Sequence, residues 1–161
     1  MFIENRILVG VGDIKIDKDP AVLSTFLGSC VAVCLYSPSR KAGGMIHYLL
    51  PKAREIQEGK IPRKEKYADT GIPELLRRLK NVFNIEKDDF VAKMFGGANV
   101  LKMARRRVGE ENIEAARAIL RGLKIAVVGA STGGERGYKI DFDLATGKVF
   151  CQIFNEEVKE Y

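Results

Sequence analysis

One cysteine motif in the sequence has the composition expected of a nucleophile. Cys30 directly follows Gly28 and Ser29 and precedes the apolar segment Val31–Tyr36. A glycine at this place permits a tight turn, so the main-chain amides around Ser29 and Cys30 can point into one small space. Amides arranged in this way stabilise the oxyanion that forms when a nucleophile attacks a carbonyl group. We therefore predict a thiol nucleophile at Cys30, with Gly28 and Ser29 in the oxyanion loop.

The chain contains a single histidine, His47, which is the only imidazole that could act on this thiol. A free thiol has a pKa of about 8.5, so it needs such a partner to react at neutral pH. If Val31–Tyr36 and Gly43–Leu50 pair as an antiparallel hairpin, Cys30 lies opposite residue 49, two positions from His47. The residues alone leave the alternative open that both side chains are structural.

A third side chain is expected to orient the imidazole, and two hydroxyls lie just upstream of the cysteine. They belong to Ser24 and Thr25, and either could serve. The other two cysteines, Cys34 and Cys151, lie within apolar segments and are predicted to be part of the core.

The pattern of apolar segments predicts an α+β fold with a mixed β-sheet or sandwich core and about three helices packed outside it. A loop is expected at Lys52–Lys66, and Asn112 is expected to cap the last helix. The predicted strands are Arg6–Gly12, Val31–Tyr36, Gly43–Leu50, Phe90–Phe95, Lys124–Val128 and a hairpin of Tyr138–Leu144 with Lys148–Phe154. The predicted helices start at Asp69 or Thr70, at about Asn99 (to Arg107) and at about Asn112 (to Arg121).

Length and composition exclude several classes of protein. The 161 residues suggest a single domain over residues 1–161, at about 150 residues per domain. No apolar run approaches the roughly 20 residues that a membrane span needs, and Met1–Gly12 has no long apolar region, so we expect no membrane span and no signal peptide. The three cysteines form no C-x-x-C pair and are odd in number, which predicts a cytoplasmic location. One histidine cannot build a zinc site that needs two or three, and no metal or other cofactor is expected.

Two further features leave alternatives open. The net charge of +6 is partly concentrated in Arg77–Arg78, Lys80 and Arg105–Arg107, which could be a solvated surface or could attract an acidic partner. Nucleic-acid binding is not expected, because no motif for it is present. The pairs Gly96–Gly97 and Gly133–Gly134 could serve ordinary turns or could shape the site.

The motifs around the cysteine and the histidine belong to a longer pattern. The segments are Leu27–Leu35 (LGSCVAVCL), Gly43–Pro51 (GGMIHYLLP), Lys66–Thr70, Phe95–Ala98, Asn112–Ala115, Thr132–Gly134 and Thr146–Lys148. Together they resemble the CheD family of chemoreceptor glutamine deamidases over nearly the whole chain. The resemblance implies Cys30 as nucleophile, His47 as general base and Thr25 as the third member, with Ser24 as the alternative. It also implies a fold related to that of deamidase toxins.

Two hypotheses about function follow from the resemblance. In the first, the chain converts glutamine to glutamate on the acidic cytoplasmic helices of methyl-accepting chemotaxis receptors, with glutamyl methyl ester hydrolysis as a second reaction of the same chemistry. In the second, it is a non-catalytic regulatory module that docks to a CheC-type phosphatase. The presence of both Cys30 and His47 favours the enzyme.

Overall fold

The computed structural model describes residues 5–53, 63–101 and 105–161, which form two five-stranded β-sheets and two α-helices. Helix α1 spans Ala68–Phe83 and helix α2 spans Val108–Gly122. The strands are β1 (Arg6–Leu8), β2 (Asp13–Lys18), β3 (Val22–Leu27), β4 (Val31–Ser37), β5 (Ala42–Tyr48), β6 (Val91–Gly96), β7 (Val127–Thr132), β8 (Tyr138–Asp143), β9 (Val149–Ile153) and β10 (Lys159–Glu160).

The two sheets pack face to face, and the helices cover the outer face of one of them. The first sheet has the strand order β2-β5-β4-β6-β7 and the second has the order β1-β3-β8-β9-β10. Val33 of β4 belongs to the core cluster shared with the helices, whereas its neighbours Ala32 and Cys34 belong to the cluster shared with the second sheet. Burial on both faces explains why β4 is apolar without alternation. The predicted α+β class with a mixed-sheet core is confirmed.

The hairpin that was expected to bring the cysteine and the histidine together is present. Strands β4 and β5 pair antiparallel, with Val31 opposite Tyr48 and Ala32 opposite His47. The same register, continued by one position beyond the paired residues, brings Cys30 level with Leu49, as predicted. The second predicted hairpin is also present, as β8 and β9.

The expectation of about three helices was wrong for the part of the chain that the structure describes. Residues 99–101 and 105–107 are not helical, and residues 102–104 lie outside the described ranges. The Ala98 amide donates to the Gly28 carbonyl and the Asn99 amide to the Gly134 carbonyl, so this backbone is bonded to two distant loops instead. Helix α2 begins at Val108, four residues earlier than predicted.

Several strand predictions also need correction. Strands β2 and β3 were not predicted, and the strand placed at Lys124–Val128 is β7, which lies three residues later. Strand β2 alternates acidic, apolar and basic side chains because it pairs only with β5 at the edge of its sheet. In the expected loop Lys52–Lys66, residues 54–62 lie outside the described ranges, and Lys64–Lys66 forms a 3₁₀ turn. Among the described helices, neither is long and apolar enough to cross a bilayer.

Glu74 pairs with two arginines of its own helix α1, and its substitution should lower the stability of the fold. Its carboxylate accepts hydrogen bonds from Arg77 Nε at 2.8 Å, Arg77 Nη2 at 2.6 Å and Arg78 Nε at 3.0 Å. The Arg77 bonds, together with the one from Arg78, lower the pKa of Glu74 from 4.5 to about 2. We expect Glu74→Gln to reduce the free energy of unfolding by about 1 kcal/mol at pH 7, since both arginines are partly exposed to solvent.

The pH dependence of this loss separates an ionic contribution from a packing defect. A carboxylate with a lowered folded-state pKa stabilises the fold fully above pH 4.5, and this contribution disappears as the pH falls towards about 2. The difference between wild type and Glu74→Gln in urea unfolding should therefore shrink over that range. Glu110→Gln, which removes an exposed pair with Arg107, is the control and should change little. A Glu74 difference that stays constant with pH would contradict this interpretation.

Candidate active site

The predicted nucleophile Cys30 lies in the short loop between β3 and β4, with 8% of its surface exposed. We call this loop, residues 28–30, the nucleophile loop. The loop is held by hydrogen bonds to its carbonyl groups. Ala98 N donates to Gly28 O at 2.9 Å and Gly97 N donates to Cys30 O at 2.9 Å. With the backbone fixed on both sides, the thiol has a defined position at the junction of the two sheets.

Gly96 and Gly97 contact this loop closely, so this glycine pair shapes the site and is more than an ordinary turn. Both have positive φ angles, +99° and +72°. A Cβ atom at Gly96 would lie 2.5 Å from the Cys30 carbonyl oxygen, and one at Gly97 would lie 2.5 Å from the Ile113 side chain. The close approach that allows Gly97 N to reach Cys30 O therefore requires glycine.

His47 points from β5 into the space between the sheets, towards the nucleophile loop. It lies opposite Ala32 of β4 and shares a sheet face with Met45, a member of the core cluster between the sheets. Cys30, level with Leu49, is a diagonal cross-strand neighbour of His47 on this face. The imidazole is 2% exposed, so its hydrogen bonds are made within the protein.

Thr25 holds the imidazole of His47. Its Oγ1 lies 2.8 Å from His47 Nδ1 and 2.6 Å from the carbonyl oxygen of Val9. The carbonyl of Val9 can only accept, so the single hydroxyl proton of Thr25 goes to Val9. The hydroxyl oxygen must then accept from His47, which places the imidazole proton on Nδ1 and leaves a lone pair on Nε2. Among the described residues, Nε2 is buried and has no hydrogen-bond partner.

Ser24, the alternative third residue, lies on the opposite face of β3. Its hydroxyl donates to Asp141 Oδ1 on the neighbouring strand β8. Successive side chains of a strand point to opposite faces, so a strand that directs Thr25 between the sheets must direct Ser24 away. The structure thus brings Thr25 to His47 and does not bring Ser24 there.

Burial sets the protonation states of the Cys30 thiol and the His47 imidazole. Desolvation raises the pKa of the Cys30 thiol above its ordinary value, and the main-chain amide of Cys30 itself opposes this rise. Desolvation also lowers the pKa of His47, opposed by a hydrogen bond to the Val9 carbonyl. Both shifts favour the uncharged forms, so the resting pair at neutral pH is a thiol beside a neutral imidazole. Such an imidazole can accept the thiol proton when attack begins.

Asn112 contacts the nucleophile loop, a role that its predicted position at a helix start did not indicate. It was expected to cap α2, but it lies inside the helix and is fully buried. Its Nδ2 donates to Ser29 O at 3.1 Å and to Leu49 O at 3.0 Å. The carboxamide therefore joins the nucleophile loop to the end of the strand that carries His47. An asparagine inside an apolar helix face is the signal that could have indicated this role.

The other residues singled out in the sequence are two core cysteines and the basic runs of the helices. Cys34 and Cys151 lie in the core between the sheets, and burial raises the pKa of Cys151 to about 11. In the basic runs, Arg77 and Arg78 pair with Glu74, and Arg106 and Arg107 pair with acidic side chains of α2. These runs therefore carry less unpaired charge than the sequence suggests. Within the described ranges, no group of three or more potential ligands is placed to hold a metal ion.

Comparison with known proteins shows the family to which this chain is related. The family model described as CheD chemotactic sensory transduction matches residues 49–153. The chain belongs to the CheD family. Because the matched segment begins after His47, it shows the family independently of the cysteine and histidine motifs. The predicted resemblance is thereby confirmed.

Relatives of this CheD-family chain are similar to it over most of their length. A probable chemoreceptor glutamine deamidase CheD of Methanococcus vannielii is 41% identical over 150 residues, covering 92% of this chain and 95% of the relative. The corresponding protein of Pyrococcus horikoshii is 40% identical, covering 89% and 90%. The chemoreceptor glutamine deamidase CheD of Thermotoga maritima is 34% identical, covering 90% of each chain.

The fold is similar to that of a solved structure from another organism. A hypothetical protein of Bacillus licheniformis, YfiH, superposes with a TM-score of 0.51 at 12% sequence identity. The match covers 76% of this chain and 51% of that protein. At this identity the likeness concerns the arrangement of sheets and helices alone.

Proposed function

We propose that this chain is a chemoreceptor glutamine deamidase that acts through Cys30, His47 and Thr25. The observation that carries the proposal is the hydrogen-bond chain from Val9 O through Thr25 Oγ1 to His47 Nδ1, which leaves the Nε2 lone pair unengaged on the face shared with Cys30. A nucleophile, a base and a group that orients the base are the parts that covalent amide hydrolysis needs. The names of the CheD relatives supply the substrate class.

The proposed reaction begins when His47 Nε2 takes the thiol proton and Cys30 Sγ attacks the side-chain carbonyl carbon of glutamine. The oxyanion accepts hydrogen bonds from main-chain amides at Ser29 and Cys30. The imidazolium then protonates the leaving nitrogen, the C–N bond breaks, and ammonia leaves a thioester on the enzyme. His47 next removes a proton from water, which attacks the thioester and breaks the S–C bond. The balance is one glutamine and one water consumed, with one glutamate and one ammonia formed.

The surface beside the nucleophile loop supports a protein substrate. A groove of about 590 Å³ is lined by Gly28 of the loop together with Phe26 and Phe154. These two phenylalanines are 65% and 68% exposed. Exposed aromatic side chains around a groove are suited to apolar contact with another protein. Because Gly28 lines the groove, a receptor helix lying there would run beside the loop that carries Cys30, although Cys30 itself is not part of the lining.

Finer aspects of the function are part of the same proposal. We expect residues 1–161 to act as one domain in the cytoplasm, where the receptor helices that bear the target glutamines are accessible. A CheC-type phosphatase is the expected regulatory partner, and acidic receptor surfaces are the expected docking targets. Attraction by the net charge of +6 should weaken as salt concentration rises.

The experiment that tests the proposal measures ammonia released when the purified chain is incubated with the cytoplasmic fragment of a methyl-accepting receptor. The expected result is ammonia in proportion to enzyme and time, with glutamate at defined receptor positions. A variant of the fragment with those glutamines replaced by glutamate should release none. Absence of ammonia from receptor fragments of the same organism would contradict the proposal.

Substitution of Thr25 should reduce activity without abolishing it. Thr25→Val removes the hydroxyl that accepts from His47 Nδ1 and leaves the buried Nδ1 proton and Val9 carbonyl with one partner fewer. A loss of ~1–3 kcal/mol of hydrogen bonding corresponds to a fall in kcat of about 10- to 100-fold. Thr25→Ser, which keeps the hydroxyl, should retain most of the activity. The measurement is the rate of ammonia release at saturating receptor fragment.

Ser24→Ala is the matched control for Thr25, because the two hydroxyls are adjacent in sequence and on opposite faces of β3. It removes a bond to Asp141 on the outer face and should leave kcat within about 2-fold of wild type, as expected for a change remote from the reacting atoms. Equal losses at both positions, or a larger loss at Ser24, would show that Thr25 does not orient the base.

A further inference from the structure

The proposed reaction assigns no role to the buried carboxamide of Asn112. Asn112 is fully buried in the first turns of α2, and its Nδ2 contacts two main-chain carbonyl groups, those of Ser29 and Leu49. A carbonyl oxygen can only accept, so the nitrogen of the carboxamide must face them, and the orientation of the group follows from the contacts. Both amide protons are thereby committed to the two segments that carry Cys30 and His47.

The carboxamide oxygen is left without a partner. Within the part of the chain that the structure describes, Asn112 Oδ1 is buried and makes no hydrogen bond. A buried unpaired acceptor disfavours folding, and an apolar side chain at this helix position would avoid it. We infer that asparagine is present for its two N–H donors. These bind the nucleophile loop and the end of β5, and not the helix to which Asn112 belongs.

The bond to Ser29 O controls the amide of Cys30, since the two groups belong to one peptide unit. In a planar trans peptide the C=O and N–H bonds point in opposite directions. When Asn112 holds the Ser29 carbonyl on the side of α2, the Cys30 N–H is directed to the other side. No main-chain acceptor among the described residues is bonded to the Cys30 amide. This amide instead lies near its own thiol, where it favours the thiolate.

The neighbouring carbonyl groups are fixed in the same way. Gly28 O and Cys30 O each accept from a main-chain amide of the 96–98 turn, so three successive carbonyls of the nucleophile loop have a donor. Only the middle donor is a side chain. Asn112 is therefore the one member of this set that substitution can remove while the turn stays intact.

We propose that Asn112 is a positioning residue that aims the main-chain amide of Cys30 at the oxyanion of the tetrahedral intermediate. The inference rests on the proposed deamidase function. It assigns to Asn112 an effect on the transition state, where the oxyanion exists, that is larger than its effect on substrate binding or on the thiol. A hydrogen bond to the carbonyl of a peptide also polarises its N–H, which strengthens the bond to the oxyanion.

The test compares two reactions of the same thiol in wild type, Asn112→Ala and Asn112→Asp. Deamidation of a receptor fragment passes through an oxyanion, whereas alkylation by iodoacetamide displaces iodide at a tetrahedral carbon and forms none. Asn112→Asp keeps the shape of the side chain and loses both donors to the carbonyls. Asn81→Ala, which alters an exposed asparagine of α1, is the control.

The expected result is a fall in kcat of about 10- to 100-fold in both Asn112 variants, smaller than the 10²- to 10³-fold loss typical when an oxyanion donor is removed outright. KM should stay close to that of wild type. The rate of Cys30 alkylation, followed by peptide mass spectrometry, should fall several-fold less than kcat, because that reaction needs no oxyanion donor and loses only the effect of the amide on the thiolate. Retained alkylation also shows that the site is folded.

Two outcomes would overturn the inference. Parallel losses of deamidation and alkylation would mean that Asn112 only maintains the structure of the site, and unchanged deamidation would mean that it has no role. Both apply when the wild type is active. A wild type that releases no ammonia from the fragment would overturn the proposed function as well, so the two failures are distinguishable.

Discussion

Cys30→Ala should abolish ammonia release from a receptor fragment, with a loss of at least about 10⁴-fold in kcat. The thiol sulfur is the atom that forms the covalent bond to the substrate in the proposed reaction. Cys34 and Cys151 are buried in the core between the sheets, and Cys34 is only 1% exposed. The loss should therefore be complete on the scale of the assay, while the circular dichroism spectrum and the melting temperature stay near those of wild type.

The matched control is Cys34→Ala, four residues further along the chain. This substitution removes a buried sulfur from the core, so it should lower the stability by about 1–3 kcal/mol and leave the activity of the folded fraction intact. Cys30→Ser should be as inactive as Cys30→Ala, since a hydroxyl is a far weaker nucleophile beside a neutral imidazole. Substantial activity in Cys30→Ala would mean that the reaction uses a different nucleophile.

His47→Asn should reduce kcat by about 10³-fold, a loss typical of removing a general acid–base group. The asparagine can place an N–H near the position of Nδ1, where Thr25 Oγ1 accepts, so the hydrogen-bond chain to Val9 can persist. What is lost is the Nε2 lone pair, which takes the thiol proton and later returns a proton to the leaving nitrogen. The loss of kcat in this variant therefore measures the contribution of the base, since the hydrogen bonds of the fold are kept.

The pH dependence of kcat/KM should identify His47 as the base. Burial lowers the pKa of His47 below 6.5, so the imidazole stays neutral and competent at neutral pH. Plots of kcat/KM should fall on the acid side only as the pH passes through this lowered value. In His47→Asn the residual rate should lack that limb. An acid limb that persists in the variant would assign the titration to another group.

The hairpin that carries Cys30 and His47 could be predicted because two apolar segments flank a short polar turn. The register followed from the length of that turn, and the structure pairs Val31 with Tyr48 as expected. Strand β3 was missed because Ser24 and Thr25 interrupt its short apolar sequence, and because it ends close to the nucleophile loop. Without that strand, the choice between Thr25 and Ser24 could not be made, since it depends on which face of β3 each side chain occupies.

Other parts of the site depend on contacts between distant segments, which a local pattern does not reveal. The Val9 carbonyl that accepts from Thr25 could belong to any residue type, so no side chain marks it. Asn112 was interpreted as a helix cap, because asparagine near a helix start usually is one. Its true partners, the carbonyls of Ser29 and Leu49, are separated from it by 83 and 63 positions in sequence.

The central claim is that Cys30 converts receptor glutamine to glutamate through a thioester, and one measurement tests it directly. A receptor fragment is incubated with the chain in water enriched in ¹⁸O, and its peptides are mapped by mass spectrometry. The account predicts that particular glutamines gain about 3 Da, from replacement of the amide nitrogen by one labelled oxygen during thioester hydrolysis. Cys30→Ala should leave every glutamine at its original mass. Unlabelled glutamines after incubation with the wild type, or labelling that persists in Cys30→Ala, would contradict the account.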